Sequence, residues 1–189
     1  VGIQAGHWRS PELPAELSRL RTSTGTAGGG LAEWQYNLDV AQRVARLLAE
    51  QGVAADVLPA TIPPGYQADA FVALHCDGDK TRRLSGFKLG RARWSTKPAV
   101  DDALMAAITA EYQAATGLPT DWPHVSRAMT GYYAFNSNRF QHAVAPTTPA
   151  AILEMGFMTN ASDLSFLLNN RDAVAQGIAR GVMRFLNQR

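Results

Sequence analysis

Asp69-Ala70-Phe71-Val72-Ala73-Leu74-His75 is an almost uninterrupted apolar run that ends on a histidine. An apolar run of this length without polar alternation predicts a buried strand. The segment from Ala150 to Met155 has the same character, and Glu154 stands where its apolar part ends. The two runs predict buried strands of a sheet whose ends carry ionisable side chains, which is where open α/β sheets place their sites.

Helical patterns alternate with these strands along the chain. Leu31 to Gln51 is the clearest predicted helix, because its apolar residues recur at spacings of three and four and Gly52 is a good terminator. Weaker patterns predict strands at 1–4, 53–58 and 85–91, and helices at 99–116, 160–168 and 172–186. This alternation predicts an α/β fold: a single mostly parallel or mixed sheet of about five to six strands with helices on both faces.

The composition is that of an ordinary globular protein. The 189 residues suffice for one domain with a substantial core, and 46% are hydrophobic and 18% charged. A net charge of +2 is too small to indicate a nucleic-acid partner. No apolar run approaches the roughly 20 residues of a membrane span. We therefore expect a single domain over residues 1–189, and we also expect a monomer.

Several features exclude other classes of site. Cys76 is the only cysteine, so neither a disulfide framework nor a cysteine-rich metal site is available. Gly28-Gly29-Gly30 is not followed by the Lys-Ser/Thr of a phosphate-binding loop, and we interpret it as a flexible approach to the following helix. The chain opens directly on a predicted strand, without an initiator Met or signal peptide. We expect a processed protein or an excised domain.

The candidate chemistry rests on His7, Glu33, His75 and Glu154. A carboxylate in a first helical turn is favoured by the helix dipole, and a histidine after a buried strand is often structural, so each is weak evidence alone. Glu154 is stronger, because a carboxylate near a buried strand end is costly unless it is paired or close to a metal. Two imidazoles and one carboxylate are the ligand types of a catalytic zinc with an open position. With a second carboxylate to move protons, the set predicts metal-assisted hydrolysis.

Other reactive residues have a weaker case. His124 and His142 lie in the irregular segment from Pro119 to Pro149, and either is a ligand candidate in principle. They lack the strand-end context, so we rank them as substrate contacts or surface residues. Cys76 adjoins His75, but nothing in the sequence suggests a base or an orienting partner for a nucleophile. We interpret it as a small buried residue.

Four segments in this order resemble the zinc-dependent N-acetylmuramoyl-L-alanine amidases of bacteria, and the likeness runs from Ile3 to Leu186. They are Gly6-His7, Glu33 followed by Asn37-Leu38, Ala68 to His75, and Leu153-Glu154-Met155-Gly156-Phe157-Met158-Thr159-Asn160. The resemblance implies that His7, Glu33 and His75 bind zinc and that Glu154 is the catalytic carboxylate. It also implies peptidoglycan as the substrate, cut at the amide between the lactyl group of N-acetylmuramic acid and L-alanine, and an extracytoplasmic location.

The chain departs from the family pattern at three points. Gln4-Ala5-Gly6-His7-Trp8 stands where the family usually has Asp-x-Gly-His-Gly. Asp77 stands where an Asn usually follows the second histidine by two residues, and the segment between Leu58 and Asp69 is short and lacks basic residues. These departures concern the surroundings of the site and the substrate preference, since His7, Glu33, His75 and Glu154 are all present.

The irregular segment from Asp121 to Phe140 is dense in aromatic residues, Asn and Arg. Loops at the strand ends of an α/β sheet usually carry binding residues, so this segment is predicted to form one wall of a substrate groove. Trp122, Tyr132 and Arg139 are the predicted contacts, while plain packing of the loop explains its aromatics equally well. Two other functions stay open: a zinc carboxypeptidase or endopeptidase on the stem peptide, and a non-catalytic wall-binding module.

Overall fold

The computed structural model describes residues 1–188, and its centre is a five-stranded sheet. A separate two-stranded hairpin precedes the first long helix. In chain order the strands are β1 (Gly2–Ala5), β2 (Ala27–Gly28), β3 (Leu31–Ala32), β4 (Asp56–Leu58), β5 (Phe71–Asp77), β6 (Lys88–Gly90) and β7 (Ala150–Phe157).

The main sheet has the order β4-β1-β5-β7-β6. Its strands are parallel except β6, which runs antiparallel to β7 at one edge. The mostly parallel sheet predicted from the sequence is therefore confirmed. Because β1, β5 and β7 are parallel neighbours, their carboxyl ends lie at one edge, and they bring His7, His75 and Glu154 to the same region.

The long helices share one core with one face of the sheet. Apolar residues of α1, α2 and α5 pack there against residues such as Val72 and Leu153. In α5, Gly181 allows close approach to α2, because a Cβ atom at that position would lie 2.5 Å from the Ile108 Cα. The α-helices are α1 (Glu33–Glu50), α2 (Pro98–Thr116), α3 (Arg127–Thr130), α4 (Ala161–Asn169) and α5 (Arg171–Leu186).

The opposite face of the sheet is covered by short helices and irregular chain. Leu13, Leu17, Met129, Tyr133 and Phe135 pack there with apolar residues of β5 and β7. The short elements are α3 and 3-10 helices at Ser10–Glu12, Ala15–Leu20, Trp122–His124 and Tyr133–Phe135. Helices therefore flank both faces of the sheet, as predicted.

The glycine-rich segment differs from its predicted role. Gly29 and Gly30, with φ of 58° and 80°, form the turn between β2 and β3, which pair antiparallel. A two-residue hairpin turn with positive φ at both positions favours glycine, so these residues fix a hairpin where a flexible approach was expected. Among the helices within residues 1–188, none is long and apolar enough to span a membrane.

Candidate metal centre and active site

His7, Glu33 and His75 come together although they lie in three different elements. The Oε1 atom of Glu33 is 3.5 Å from His7 Nε2 and 3.1 Å from His75 Nδ1. One ligand atom from each residue lies within 4.8 Å of the other two. In the part of the chain that the structure describes, no other group of three His, Cys, Asp or Glu residues meets in this way.

The local backbone explains how these residues converge. His7 follows β1 in a left-handed conformation with φ of 62°, which is uncommon for a residue with a side chain and costs about 1–2 kcal/mol. Gly6 before it lies against the His75 ring, since a Cβ atom there would be 2.4 Å from His75 Cε1. Thr26, next to the hairpin, donates its N–H to Glu33 Oε2 at 2.8 Å. The end of β1, the close approach of Gly6 and the hydrogen bond from Thr26 therefore position the three side chains of the cluster.

One ring nitrogen of each histidine faces Glu33: Nε2 of His7 and Nδ1 of His75. The Nδ1 atom of His7 lies 2.9 Å from the Ser23 carbonyl oxygen, to which it donates, so Nε2 is the nitrogen left for a metal. Glu33 Oε1 accepts from the Cys76 N–H at 3.0 Å and from Asn37 Nδ2 at 3.1 Å. The carboxylate is thereby held between the two imidazoles.

The donor set fits a divalent metal such as zinc. Burial lowers the pKa of His7, which favours the neutral imidazole that a metal requires. Burial alone would raise the pKa of Glu33, but the hydrogen bond and charge of His75 outweigh it, and the pKa is lowered. A carboxylate and two imidazole nitrogens that already face one another are the ligand types of catalytic zinc sites.

Glu154 lies beside this cluster with an unsatisfied carboxyl oxygen. In the sheet it is the partner of His75, and its side chain faces away from the helix core that contains Leu153 and Met155. The residue is partly exposed, but its Oε2 atom is buried and has no hydrogen-bond partner within residues 1–188. Burial raises the pKa of Glu154 to about 8. A nearby cation would favour the ionised form of this carboxyl group.

Lys88 is a buried cation next to Glu154 that the sequence analysis did not single out. Glu154 is the sheet partner of both His75 and Lys88, so the three residues form a row across β5, β7 and β6. The Lys88 Nζ atom lies 2.5 Å from Asp77 Oδ2 and 2.9 Å from Asp121 Oδ2, and its side chain is 2% exposed. The Lys88 ammonium group is therefore a fixed positive charge on the β6 side of Glu154, opposite to His75 on β5.

We expect the Lys88→Met variant to lower the free energy of unfolding by about 3 kcal/mol. The substitution keeps the length of the side chain but leaves the Asp121 carboxylate buried without its cation. Arg91→Met is the matched control, because the Arg91–Asp102 pair is more exposed, at 28% and 56%, and should contribute less than about 1 kcal/mol. Urea denaturation measures both. Equal losses in the two variants would contradict a special role for the buried cluster.

The secondary candidates have other partners. His124 Nδ1 lies 2.5 Å from Asp121 Oδ1, and His142 Nδ1 lies 2.8 Å from Glu16 Oε1. Neither histidine belongs to the three-residue cluster. Cys76 is buried, and burial raises the pKa of its thiol well above the usual value, which disfavours a nucleophilic thiolate. The interpretation of Cys76 as a small buried residue is confirmed.

Two surface depressions meet at the cluster. One, of about 240 Å³, is lined by His7, His75, Tyr132 and Tyr133. The other is open and polar, and it is lined by Glu33 together with Asp77, Lys80, Arg82 and Thr159. Residues of the cluster therefore border both depressions.

The three predicted substrate contacts, Trp122, Tyr132 and Arg139, do not lie together in one depression. The Tyr132 ring borders the first depression, and its hydroxyl group contacts His75 Nε2 at 3.2 Å. Trp122 is 41% exposed and stands next to Asp121 of the ion cluster. Arg139 is exposed and lies over the ring of its neighbour Phe140. Within residues 1–188, neither Trp122 nor Arg139 lines the two depressions.

The fold and the cluster define the class of the protein: an α/β protein with a candidate metallohydrolase centre at the carboxyl ends of its parallel strands. More narrowly, the chain belongs to the N-acetylmuramoyl-L-alanine amidase family, whose model matches residues 1–184. It is a hydrolase that acts on the amide bond of peptidoglycan. A comparison with curated proteins finds no match.

Solved amidase structures share the fold over the entire chain. The amidase Ami1 from Mycobacterium smegmatis has a TM-score of 0.71 at 17% identity, covering 100% of this chain and 96% of that one. The catalytic domain of CwlV from Bacillus (Paenibacillus) polymyxa var. colistinus gives 0.66 at 20% identity, covering 100% and 98%. The CwlD amidase from Clostridioides difficile, solved in complex with the GerS lipoprotein, gives 0.66 at 13% identity, covering 100% and 98%.

Proposed function

We propose that this amidase is zinc-dependent, that His7, Glu33 and His75 hold the zinc ion, and that Glu154 transfers the proton. The bond cut is the amide between the lactyl group of N-acetylmuramic acid and L-alanine. One observation carries the proposal: three ligand atoms lie within 4.8 Å of one another beside a buried Glu154 oxygen that has no partner in the described chain. A metal site next to an unpaired carboxylate is the arrangement that metal-assisted hydrolysis needs.

The chemistry of Glu154 follows from its position. Zinc, when bound by the three ligands, acts as a Lewis acid toward the amide carbonyl and activates water for attack. Glu154 accepts a proton from the attacking water while the water oxygen bonds to the carbonyl carbon. It then delivers that proton to the L-alanine nitrogen as the C–N bond breaks, and the second proton of the water also passes to this nitrogen, which yields a lactyl carboxylate and the ammonium group of L-alanine. General acid–base catalysis of this kind typically contributes about 10²–10⁴-fold.

The test of this proposal is the product. Peptidoglycan digested with the protein should yield glycan strands free of peptide and stem peptides with a free L-alanine amino group, both identified by mass spectrometry. A carboxypeptidase would release a single amino acid, and an endopeptidase would leave peptide on the sugar. A wall-binding module would release nothing. Digestion in the presence of a chelator is the control for the metal, and activity that survives complete removal of zinc would contradict zinc dependence.

Three further properties belong to the same proposal. The whole chain forms one catalytic domain over residues 1–189, since the five strands and three long helices share one sheet and one main core within the described range. The protein works outside the cytoplasm, because its substrate is the cell wall. It acts as a monomer, which sedimentation of the purified protein would test.

We also propose that the segment from Asp121 to Phe140 forms one wall of the substrate groove, with contacts from Trp122, Tyr132 and Arg139. Its support is the Tyr132 ring in the depression beside His75 and the exposed indole of Trp122. Arg139 has the weakest support, since its guanidinium group lies over Phe140.

We expect Trp122→Ala to lower kcat/KM on cross-linked sacculi by about tenfold, because an exposed aromatic ring contributes about 1–2 kcal/mol when a substrate covers it. Zinc content should stay at one per chain. Trp94→Ala is the matched control, since Trp94 is similarly exposed, at 36%, and lies outside the segment from Asp121 to Phe140. Unchanged kinetics for Trp122→Ala on sacculi and on small muropeptides would show that the indole is not a contact.

A further inference from the structure

A third depression adjoins the metal cluster where the chain leaves β1. We call it the tryptophan depression, since Trp8 and Trp34 both line it. Its volume is about 340 Å³ and its lining is mostly apolar, as in sites for small molecules, which have about 300–1,000 Å³. His7 borders both this depression and the one beside His75. The tryptophan depression therefore lies next to the candidate reaction centre.

The two tryptophans follow two of the proposed metal ligands in the chain. Trp8 comes directly after His7, and Trp34 comes directly after Glu33 in the first turn of α1. Both tryptophans are half-buried. Within residues 1–188, Trp34 belongs to neither of the two hydrophobic clusters that form the core. Core packing therefore does not account for the Trp34 indole, which lines the depression instead.

The backbone around Trp8 has an uncommon conformation. His7 and Arg9, on either side of Trp8, have left-handed φ angles of 62° and 61°. Residues with a Cβ atom disfavour this region, and such strain persists only where the surroundings determine it, often at ligand sites. Trp8 itself is held by both backbone groups, since its carbonyl oxygen accepts from the Ala60 N–H at 2.8 Å and its N–H donates to the Ala5 carbonyl at 3.3 Å. Trp8 therefore lines the depression from a fixed backbone.

The charged side chains of the tryptophan depression neutralise each other. Arg9 Nε donates to the two carboxylate oxygens of Glu12 at 2.8 and 2.9 Å. Within residues 1–188, no other Lys, Arg, Asp or Glu lines this depression. The open polar depression differs, since Asp77, Lys80 and Arg82 line it. A neutral aromatic surface suits a sugar ring, whose C–H face stacks on an indole, better than a stem peptide with free carboxylates.

We propose that Trp8 and Trp34 form a saccharide subsite, which binds a sugar ring of the glycan strand beside the metal centre. This inference rests on the proposed function, because it places the sugar-bearing side of the scissile amide next to His7. Stacking on the indoles holds the glycan strand, so that the lactyl amide meets the centre in a fixed orientation.

The direct test is binding of a peptide-free tetrasaccharide of alternating N-acetylglucosamine and N-acetylmuramic acid, compared with free stem peptide. The chain has four tryptophans, so their indole N–H signals in ¹H–¹⁵N spectra can be assigned by substitution with phenylalanine. We expect the tetrasaccharide to shift the signals of Trp8 and Trp34 and to leave that of Trp94 unchanged. The stem peptide should shift none of these three. This readout needs neither zinc nor turnover.

The kinetic test uses Trp34→Ala, because Trp8 also packs partly against the helix core. Two substrates share one stem peptide: the first carries an N-acetylglucosamine–N-acetylmuramic acid disaccharide, and the second carries only the lactyl group. We expect kcat/KM to fall about tenfold more on the disaccharide substrate than on the lactyl peptide. Trp94→Ala is the matched control, since Trp94 is also partly exposed, at 36%, and does not line the tryptophan depression within residues 1–188.

The outcomes separate the subsite from the catalytic proposal. Signals of Trp8 and Trp34 that ignore the tetrasaccharide, or that respond to the stem peptide instead, would overturn the subsite. An equal loss of kcat/KM on the two substrates would also overturn it, because Trp34 would then contact the peptide. A protein whose indole signals shift as expected but that cuts no lactyl amide would contradict the proposed function and leave the subsite standing. Should Trp34→Ala not fold, or the lactyl peptide resist cleavage, the wild-type spectra decide.

Discussion

Glu154→Gln should abolish nearly all turnover, with a loss of at least about 10²-fold, while the protein keeps its fold and its zinc. Glutamine has the shape of glutamate but cannot accept a proton. The Glu154 oxygen without a partner makes the substitution structurally mild, since no hydrogen bond to Oε2 within residues 1–188 is lost. The neutral amide also removes the cost of a buried negative charge. The kinetic loss therefore reports chemistry rather than folding.

The measurement is the release of stem peptide from purified sacculi under saturating zinc, with metal content and circular dichroism determined on the same samples. Glu111→Gln is the matched control, because Glu111 lies on α2 and pairs with Arg184, away from the cluster. It should have wild-type activity. A Glu154→Gln variant with more than about a tenth of the wild-type rate would remove Glu154 from proton transfer.

Long elements with a clear period were predictable from the sequence, and short ones were not. The helix predicted at Leu31 to Gln51 is α1 over Glu33–Glu50, because a long apolar stripe specifies both the helix and its buried face. The hairpin of β2 and β3 was missed, since each strand has only two residues and carries no period. Its glycines were instead interpreted as a flexible segment, whereas Gly29 and Gly30 are needed because the turn requires positive φ.

The cluster of His7, Glu33 and His75 was predictable for a related reason. Each residue stands at the boundary of an element that the pattern already defined, and parallel strands carry such boundaries to one edge. The position of Glu154 beside the cluster was predictable, because a carboxylate near the end of a buried apolar strand is costly unless it is paired or close to a metal. Its predicted orientation, opposite to Leu153 and Met155, is confirmed.

The surroundings of the cluster could not be predicted in the same way. Lys88 lies in a three-residue edge strand, and its partners Asp77 and Asp121 come from separate parts of the chain. The contact between Tyr132 and Gln4 joins residues 128 positions apart. Such contacts depend on the path of an irregular segment, which has no hydrophobic period to reveal it.

His75→Ala should lose stoichiometric zinc and, with it, peptidoglycan hydrolysis. A zinc site with two nitrogens and one carboxylate cannot keep its geometry when one of three protein ligands is removed. His75 is also central to the cluster, since its Nδ1 atom contacts Glu33 and its ring lies against Gly6. Because alanine leaves a cavity at that position, His75→Gln provides a second variant of similar volume that should lose zinc as well.

Zinc content after dialysis, determined by elemental analysis, is the measurement, and the remaining histidines supply the controls. His124→Ala and His142→Ala should each keep one zinc per chain, because their imidazoles pair with Asp121 and Glu16 instead of joining the cluster. Retention of one zinc by both His75 variants would mean that another side chain completes the site. Loss of zinc in His124→Ala or His142→Ala would then identify it, and the ligand set would have to be redrawn around that histidine.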